Sequence, residues 1–233
     1  MLKGAVSRLR NRVVRAFRGT TGLKEMCELD YWRGRARQEG SLRNSHYAYF
    51  YTEHFGLERR FYEGKKVLDI GCGPRGSLEW ASMAAERVGL DPLADSYRAL
   101  GTGRHAMSYV ASPAERIPFE DGHFDVVCSF NSLDHVEDLD RVVSEITRVA
   151  RGNGVFLLLT DVDHEPTPTE PLSFSWDIVE RFAGGFAPVE ERRYEAHPKG
   201  LYDAILAGVP YDPANATRRK GVLSALFRRR AGK

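Results

Sequence analysis

A short apolar run followed by closely spaced glycines restricts the fold of this chain more than any other part of the sequence. Residues 67–70 have the length of a buried β-strand, and Gly71, Gly73 and Gly76 come directly after them. Glycine lets the backbone turn sharply and approach a ligand closely, because it has no Cβ. The sequence over 77–85 then predicts a helix. A strand, a glycine turn and a helix N-terminus together are typical of a nucleotide-type site in an α/β sheet.

Two acidic residues indicate which ligand such a turn would serve. Asp69 lies just before the first glycine. A carboxylate there would repel the negative charge of a pyrophosphate but is compatible with a cationic sulfonium amino acid. A second predicted strand ends at Asp91, fifteen residues after Gly76. A carboxylate there can accept hydrogen bonds from both hydroxyls of a ribose. The two acids therefore favour a nucleoside with a cationic tail over a dinucleotide.

With these residues the chain resembles the class I S-adenosylmethionine-dependent methyltransferases, whose first motif is an acid followed by a glycine-rich turn. Segments that resemble the motifs of this family follow in the right order, at 69–74, 114–127, 131–136 and 148–158. The resemblance covers roughly 64–208 and implies S-adenosyl-L-methionine as the cofactor. The residues that it places around the cofactor are Asp69, Gly71, Cys72, Gly73, Asp91, Pro92, Ala114, Glu115, Asn131, Ser132 and Leu133.

Two residues depart from the family pattern. Arg75 stands where many members have a small residue, and Pro113 stands where many have an aspartate that accepts the adenine amino group. Proline cannot make that contact. The adenine contact is therefore expected from a backbone group, from Ser112 or from Glu115.

The order of the predicted elements indicates an α/β fold. Strands are predicted at 66–70, 87–91, 107–110, 125–130 and 154–160, and helices at 77–85, 94–101 and 137–151. This alternation implies a parallel sheet covered on both faces. Two more strands, at 190–195 and 201–206, are predicted to form an antiparallel hairpin around a turn at 197–200. The expected fold is a Rossmann-like three-layer sandwich with a mostly parallel seven-stranded sheet, a C-terminal antiparallel hairpin and an N-terminal helical lid.

Composition divides the chain into four predicted segments: a basic amphipathic N-terminal segment (1–24), a helical lid (25–63), an S-adenosylmethionine-binding domain (64–213) and a basic C-terminal tail (214–233). The lid is rich in aromatic residues, and its glycines predict helices over about 26–38 and 43–62. Packing on the sheet explains most of these aromatics. His46, Tyr47 and Tyr51 are the lid side chains that could face the pocket instead.

Charge is distributed unevenly along the chain. The segment 1–24 and the tail 214–233 each contain seven Lys or Arg residues and no acid. Taking these fourteen cations from the whole-chain charge of +2 leaves −12 on the body, which argues against nucleic acid as a partner. Apolar residues recur at helical spacing in both ends, in the tail at Val222, Leu223, Leu226 and Phe227. Two amphipathic helices on an anionic membrane surface are one reading, and solvated tails or stripes packed on the body are the other.

Cysteine usage indicates the compartment. Cys27, Cys72 and Cys128 are widely spaced, odd in number and without metal-ligand spacing, which favours the reducing cytoplasm. No apolar stretch reaches the roughly 18 residues that are needed to span a bilayer. The expected location is the cytoplasm. The basic ends add the possibility of peripheral binding at the inner face of the membrane.

Two histidines are the candidate catalytic residues. Ligands of open α/β sheets bind beyond the carboxyl ends of the strands. His135 follows one predicted strand, and His164 lies in the polar, proline-rich loop at 161–171 that follows the next. Imidazole titrates near neutral pH, so either histidine could remove the proton of an acceptor hydroxyl. The alternative for each is a structural histidine with local hydrogen bonds.

No metal site is predicted. Asp161, Asp163, His164 and Glu165 could build one, but a solvated acidic loop explains the same residues equally well. The other motifs of metal-dependent O-methyltransferases are not found in the sequence.

The expected function is methyl transfer from S-adenosylmethionine to a small-molecule or a glycan- or lipid-linked acceptor, with a hydroxyl favoured over nitrogen or carbon. Two alternatives stay open. One is an NAD-type oxidoreductase, and the other is a non-catalytic S-adenosylmethionine-binding scaffold that is recruited through its basic ends. The sequence identifies neither the acceptor nor the oligomeric state.

Overall fold

One seven-stranded sheet organises the part of the chain that the computed structural model describes, which is residues 22–167, 169–215, 217 and 219–231. The strands are β1 (Lys66–Ile70), β2 (Glu86–Leu90), β3 (Ser108–Val110), β4 (Phe124–Phe130), β5 (Ala150–Val162), β6 (Phe186–Glu195) and β7 (Gly221–Arg229). Their order is β3-β2-β1-β4-β5-β7-β6. Strands β1 to β5 pair in parallel, and β7 lies antiparallel between β5 and β6. The predicted fold class is confirmed.

Apolar residues on both faces of the sheet are buried, which makes the fold three-layered. Along β1, Leu68 and Ile70 pack into one cluster while Val67 packs into the other. Successive side chains of a strand point to opposite faces, so an uninterrupted apolar strand must be covered twice. This arrangement leaves the carboxyl ends of β1, β2 and β4 at one edge, where the glycine turn begins.

Four α-helices accompany the sheet in the described residues. They are α1 (22–39), α2 (Tyr47–Tyr51), α3 (Leu139–Val149) and α4 (Leu201–Ala207). The predictions over 26–38 and 137–151 correspond to α1 and α3. The side chain of Asp138 caps α3 by accepting a hydrogen bond from the backbone N–H of Arg141, at 3.0 Å. The predicted helix over 43–62 is only α2 followed by 3₁₀ turns at Glu53–Phe55 and Arg59–Tyr62, because Gly56 takes a left-handed conformation between them.

The prediction of a helix over 77–85 is wrong. This segment consists of single turns, in which the backbone N–H groups of Ala81 and Ala84 bond carbonyls three residues earlier. Its apolar residues are held by tertiary contacts, since Leu78 and Ala81 are completely buried. The helix propensity of the alanines is a weak preference that such contacts override. The helix predicted over 94–101 is likewise a 3₁₀ helix, Ser96–Leu100.

The predicted hairpin pairs the wrong second strand. Residues 201–206 belong to the helix α4, in which Leu201, Ala204 and Ile205 are buried at i, i+3 and i+4. The antiparallel partner of β6 is β7, with Glu195 opposite Gly221 and Phe186 opposite Arg229.

For 221–229 the interpretation of the basic tail as an amphipathic helix is wrong, and the alternative that its apolar residues pack on the body is confirmed. This segment is β7, an interior strand of the sheet, and its apolar residues Val222, Leu223, Leu226 and Phe227 are all buried. A short apolar run that is buried on both faces has no period by which to distinguish a strand from a helix. The domain boundary predicted at 213/214 therefore does not divide the fold.

The Lys and Arg side chains beside β7 make hydrogen bonds and ion pairs within the folded chain. Arg229 donates to the carbonyls of Thr147 and Gly185, at 3.0 and 2.8 Å. Lys220 pairs with Asp161 at 2.6 Å, and Arg219 pairs with Glu195. The other predicted amphipathic segment lies almost entirely outside the described residues, except for 22–24. No helix in the described part of the chain is long and apolar enough to cross a membrane.

Candidate active site

The glycine turn after β1 leaves no room for side chains. Gly71 and Gly73 have φ angles of 70° and 56°, and the amide of Gly71 donates to the carbonyl of Leu90 at 2.8 Å. A Cβ on Gly71 would lie 2.2 Å from the Cβ of Ser132. A Cβ on Gly73 would lie 3.0 Å from the ring of Trp32 and would fill the gap between the turn and α1. Backbone atoms therefore form the floor of the crevice.

A cavity of about 1010 Å³ opens over this turn. Its walls come from the ends of β1, β2 and β4, from α1 and α2, and from the N-terminal part of α4. The predicted site residues that line it are Asp69, Gly71, Cys72, Gly73, Asp91, Asn131 and His135. The lid residues His46, Tyr47 and Tyr51 line it as well. Lid residues and strand-end residues thus enclose one continuous space.

Asp91 is held in place by backbone donors. The amide of Gly73 donates to Oδ2 at 3.1 Å, and the amide of Leu93 donates to Oδ1 at 2.9 Å. Burial raises the pKa of Asp91 to about 6. The carboxylate is therefore mainly ionised at neutral pH. Each of its oxygens has a further lone pair, so Asp91 can still accept hydrogen bonds from a bound diol.

Asp69 is buried beneath the turn and accepts two hydroxyl hydrogen bonds on one oxygen. Tyr51 from α2 donates to Oδ2 at 2.9 Å, and Ser77 donates to the same atom. Burial raises the pKa of Asp69 to about 7, despite these two donors. A cation bound in the cavity would stabilise the ionised form.

Six predicted site residues are not among those that line the cavity. Pro92 is exposed, whereas Ala114 and Leu133 belong to the apolar core. Ser132 braces the turn by donating to the carbonyl of Ile70 at 2.9 Å. Glu115 accepts from the backbone of Glu137 and Asp138 beside α3, and His164 lies behind His135.

The two side chains considered for the adenine contact have internal partners instead. Ser112 donates to the carbonyl of Arg116 at 2.6 Å, and Glu115 accepts the two amides before α3. With Pro113 between them, the side chains of this loop offer no acceptor toward the cavity. No residue of this loop lines the cavity, so the backbone contact with the adenine stays a prediction.

Arg75 fastens the lid to the glycine turn. Its guanidinium donates to both carboxylate oxygens of Glu39 in α1, at 2.7 and 2.8 Å, and to the carbonyl of Arg43. It also lies 5.4 Å from the centre of the Trp32 ring. The hydrogen bonds from Arg75 lower the pKa of Glu39 to about 2. The sequence showed Arg75 only as a departure from the family pattern, and its partner could not be found from spacing.

Replacing Arg75 by lysine is expected to loosen α1. Lysine keeps the charge but cannot form the two-pronged contact with Glu39. The loss should be about 1–2 kcal/mol of docking free energy. Amide hydrogen exchange over 22–39 should then accelerate by about 5- to 30-fold relative to β4 and β5. Arg33→Lys, which alters an exposed pair with Asp30 on the same helix, is the control. Equal exchange in both variants would show that Arg75 does not hold the lid.

A second polar group lies in the wall of the cavity, after β4. It consists of Asp134, His135, His164 and Glu170, and is called the Asp134 cluster below. Asp134 is 2% exposed and stands between the two imidazoles, with Oδ1 3.8 Å from Nε2 of His135 and Oδ2 3.7 Å from Nε2 of His164. His135 and Glu170 reach the cavity, whereas His164 does not. The structure thus brings both predicted catalytic histidines to one carboxylate.

Comparison with known proteins agrees with this geometry. A protein-family profile described as a methyltransferase domain matches residues 68–158. The chloroplastic tocopherol O-methyltransferase of Arabidopsis thaliana is 36% identical over 104 residues, which are 41% of this chain and 30% of that protein. An uncharacterized methyltransferase of Mycobacterium sp. (strain JLS) is 29% identical over 170 residues, covering 71% of this chain and 66% of that protein. The sterol 4-C-methyltransferase strm-1 of Caenorhabditis elegans is 32% identical over 113 residues, or 45% of this chain and 34% of that protein.

Solved structures support the same fold. The S-adenosylmethionine-dependent methyltransferase of Mesorhizobium loti superposes with a TM-score of 0.53 at 18% identity, covering 72% of this chain and 92% of that chain. Residues 68–158 therefore carry a methyltransferase domain with the fold of the class I S-adenosylmethionine-dependent methyltransferases. The cyclase SpnF also superposes, with a TM-score of 0.54 at 20% identity over 75% of this chain and 79% of that chain. This chain spans less than two thirds of the length of the curated relatives described above.

The methyltransferase domain implies S-adenosylmethionine as the methyl donor, and the crevice of this chain fits that cofactor. The turn has no room for a Cβ at Gly71, where it would meet Ser132, or at Gly73, where it would meet Trp32 in the cavity wall. At one side of the crevice Asp91 can accept from a ribose, and at the other Asp69 can face an ammonium group. Both carboxylates line the same cavity.

Proposed function

We propose that this chain transfers a methyl group from S-adenosylmethionine to a hydroxyl of a small-molecule or a glycan- or lipid-linked acceptor. One observation carries the proposal. A single cavity connects the carboxylates at the ends of β1 and β2 with the Asp134 cluster after β4. A donor site and a proton-accepting wall therefore share one enclosed space, as a transfer between two small molecules requires.

The donor would lie along the glycine turn. Asp91 would accept hydrogen bonds from the ribose hydroxyls. The backbone at Gly71 and Gly73 would lie close to the methionine part of the cofactor. Asp69 would face the ammonium group, directly or through a water molecule. When bound, S-adenosylmethionine supplies an electrophilic methyl group and a good leaving group. The chain has mainly to align the acceptor and exclude bulk water.

Aromatic side chains would shape the acceptor space. Tyr47 and Phe50 from α2 pack at an angle against the ring of Tyr202 from α4, with ring centroids 5.8 and 4.6 Å apart. Leu206 and Tyr31 also line the cavity but are 60% and 55% exposed, so they form an apolar rim. A rim of this kind suits an acceptor with an apolar part.

The proton of the acceptor would leave toward the wall formed by His135 and Glu170. A neutral hydroxyl is a weak nucleophile, so loss of its proton must accompany the attack on the methyl group. These two residues are the members of the Asp134 cluster that line the cavity. A cluster of proton acceptors supports oxygen as the methylated atom.

Replacing Asp91 by asparagine tests the donor site. The change keeps the shape but removes the charge that accepts the ribose hydrogen bonds, so the affinity for S-adenosylhomocysteine should fall by about 1–3 kcal/mol. Isothermal titration calorimetry measures this change directly. The control is Asp95→Asn, because Asp95 is exposed and pairs only with Arg98 in the described part of the chain. An unchanged affinity in the Asp91 variant would show that the ribose lies elsewhere.

The same samples separate the alternatives. A thermal shift with NAD and none with S-adenosylhomocysteine would support an oxidoreductase and contradict the proposal. Binding of S-adenosylhomocysteine without transfer of labelled methyl groups to a broad panel of alcohols, phenols, sugars and lipid-linked glycans would support a scaffold instead.

A further inference from the structure

The Asp134 cluster combines donors that are typical of metal sites. Asp134, His135 and Glu170 each offer one ligand atom, and these atoms lie within 4.8 Å of one another. We propose that the cluster binds a divalent first-row transition ion such as Mn²⁺ or Zn²⁺, with His164 as a further ligand. The sequence did not predict this set, because only His164 among the four ligands belongs to the group Asp161, Asp163, His164 and Glu165 that the sequence offered.

The separations are close to those that one ion requires. Two ligand atoms that are each about 2.1 Å from a common ion lie roughly 3–4.2 Å apart. Nε2 of His135 and Nε2 of His164 are 3.8 and 3.7 Å from the two oxygens of Asp134. Contraction of the separations among Asp134, His135 and Glu170 by less than about 1 Å would bring these three within reach of one ion. His164 lies outside this group and would have to approach the ion from its position beside Oδ2 of Asp134. Two imidazoles with two carboxylates favour a first-row transition ion over Mg²⁺ or Ca²⁺, which prefer oxygen alone.

Buried atoms without partners provide an independent argument. His164 is 9% exposed, and its Nε2 has no hydrogen-bond partner among the described residues, although it lies 3.7 Å from Oδ2 of Asp134. Oδ1 of Asp134 is buried and equally without a partner in this part of the chain. Buried polar atoms in a folded protein are nearly always hydrogen-bonded or bound to an ion. An ion between them would satisfy both atoms at once.

The second ring nitrogen of His164 is already oriented. Its Nδ1 lies 3.1 Å from the carbonyl of Glu165, where an N–H at Nδ1 would donate. Such a bond leaves the Nε2 lone pair free for a metal, as in many metal-bound histidines. Two cations lie nearby. Lys24 donates to the carbonyl of His135, and Lys220 is paired with Asp161. Neither donates a hydrogen bond to a carboxylate of the Asp134 cluster in the described residues, although the charge of Lys24 also acts on Asp134.

An ion in this position would act on the acceptor, so the inference rests on the proposed function. His135 and Glu170 line the cavity, where a hydroxyl oxygen of the acceptor could complete the coordination. Coordination lowers the pKa of a hydroxyl, and the proton would pass to solvent water. The oxygen would then form its bond to the methyl carbon as the carbon–sulfur bond breaks. The sulfur would keep the bonding electron pair and become a neutral thioether.

Binding of Mn²⁺ to the untagged, chelator-treated chain tests the site. Free Mn²⁺ gives a six-line electron paramagnetic resonance signal that is lost on binding, so titration yields affinity and stoichiometry. We expect one bound Mn²⁺ per chain, displaced by Zn²⁺. Asp134→Asn and Glu170→Gln should each weaken binding at least about tenfold. Glu165→Gln is the matched control, because this exposed side chain lies in the same loop outside the cluster.

Either of two binding results would overturn the inference. One is a free Mn²⁺ signal that persists at millimolar concentration. The other is equal binding by wild type and by Glu170→Gln, a partly exposed position where an amide can replace the carboxylate without disturbing the core. The affinity for S-adenosylhomocysteine is measured on the same samples. Unchanged cofactor binding and unchanged methyl transfer after chelation would refute the metal site alone. Absence of cofactor binding with or without Mn²⁺ would refute the proposed function.

Discussion

At pH 8, Asp69→Asn is expected to stabilise the cofactor-free protein and to weaken its binding of S-adenosylmethionine. Asp69 is almost completely buried, and its only bonding donors in the described part of the chain, Tyr51 and Ser77, share one oxygen. The single carbonyl oxygen of asparagine can accept both hydrogen bonds. The substitution therefore removes a buried charge and leaves the local packing intact.

The sign of the stability change follows from the pKa of this carboxyl. Burial raises the pKa of Asp69 to about 7 in the folded chain, from 3.8 for an unperturbed aspartate. Between these two values the folded state holds a proton that the unfolded state has released. The free energy of unfolding therefore falls as pH rises from about 4 to 7, and stays low above 7. Asparagine removes this loss, so the gain at pH 8 should be on the order of 2–4 kcal/mol, and close to zero at pH 4.

Cofactor affinity should change in the opposite direction. The ammonium group of the donor binds the ionised carboxylate, so wild-type affinity should increase as pH rises through about 7. Asp69→Asn should bind about 10- to 100-fold more weakly at pH 8, the equivalent of about 1.4–2.8 kcal/mol for a charge-assisted contact. Its remaining pH dependence should be centred near 6, because burial raises the pKa of Asp91 to about 6.

Thermal unfolding and calorimetric titration at pH 4, 6 and 8 measure both effects. Ser77→Ala is the matched control, because it removes one donor to Asp69 and keeps the charge. This variant should be less stable than wild type at pH 8 and should still bind the cofactor with a dependence on pH near 7. If Asp69→Asn were less stable than wild type at pH 8, the buried charge of Asp69 would not destabilise the cofactor-free fold.

The strands and the glycine turn could be predicted because each depends on local sequence. The apolar run that ends at Ile70 and the glycines after it favour a strand followed by a tight turn, whichever elements surround them. The segment 77–85 has a local preference for helix, but its conformation is decided by the burial of Leu78 and Ala81, which the sequence does not show. The same limit applies to β7. Its burial on both faces depends on β5 and β6, and without those neighbours its apolar pattern resembled a helix face.

The candidate site shows the same difference between features that local sequence determines and features that depend on distant contacts. Residues within the motifs, such as Asp91 and Gly73, could be placed at the cavity because the motif specifies them one by one. Residues that act across long sequence separations were not. Arg75 meets Glu39 from a different element, and Glu170 reaches the Asp134 cluster only through the path of the loop after β5. The motifs shared with known methyltransferases specify residues around the cofactor. The residues around the acceptor have to be inferred from the structure of this chain.

His135 is expected to matter for turnover far more than for cofactor binding. It is the histidine of the Asp134 cluster that reaches the cavity, while His164 stands behind Asp134. As a base or as an ion ligand, it acts on the acceptor proton in the transition state. His135→Gln should therefore lower kcat by about 10²–10⁴-fold, the usual contribution of such proton transfer. The affinity for S-adenosylhomocysteine should change by less than about threefold, since the donor site lies at the turn.

The measurement requires an acceptor on which wild type turns over, taken from the panel that tests the proposed function. Single-turnover transfer of a labelled methyl group separates the chemical step from product release. His164→Gln should also lower kcat, but less than His135→Gln, because it acts through Asp134. His123→Gln is the control, since His123 pairs with Glu86 away from the cavity. A kcat for His135→Gln within about threefold of wild type would leave alignment of the acceptor as the main contribution of the chain, and the methylated atom would then be sought among nitrogen or carbon nucleophiles that need no base.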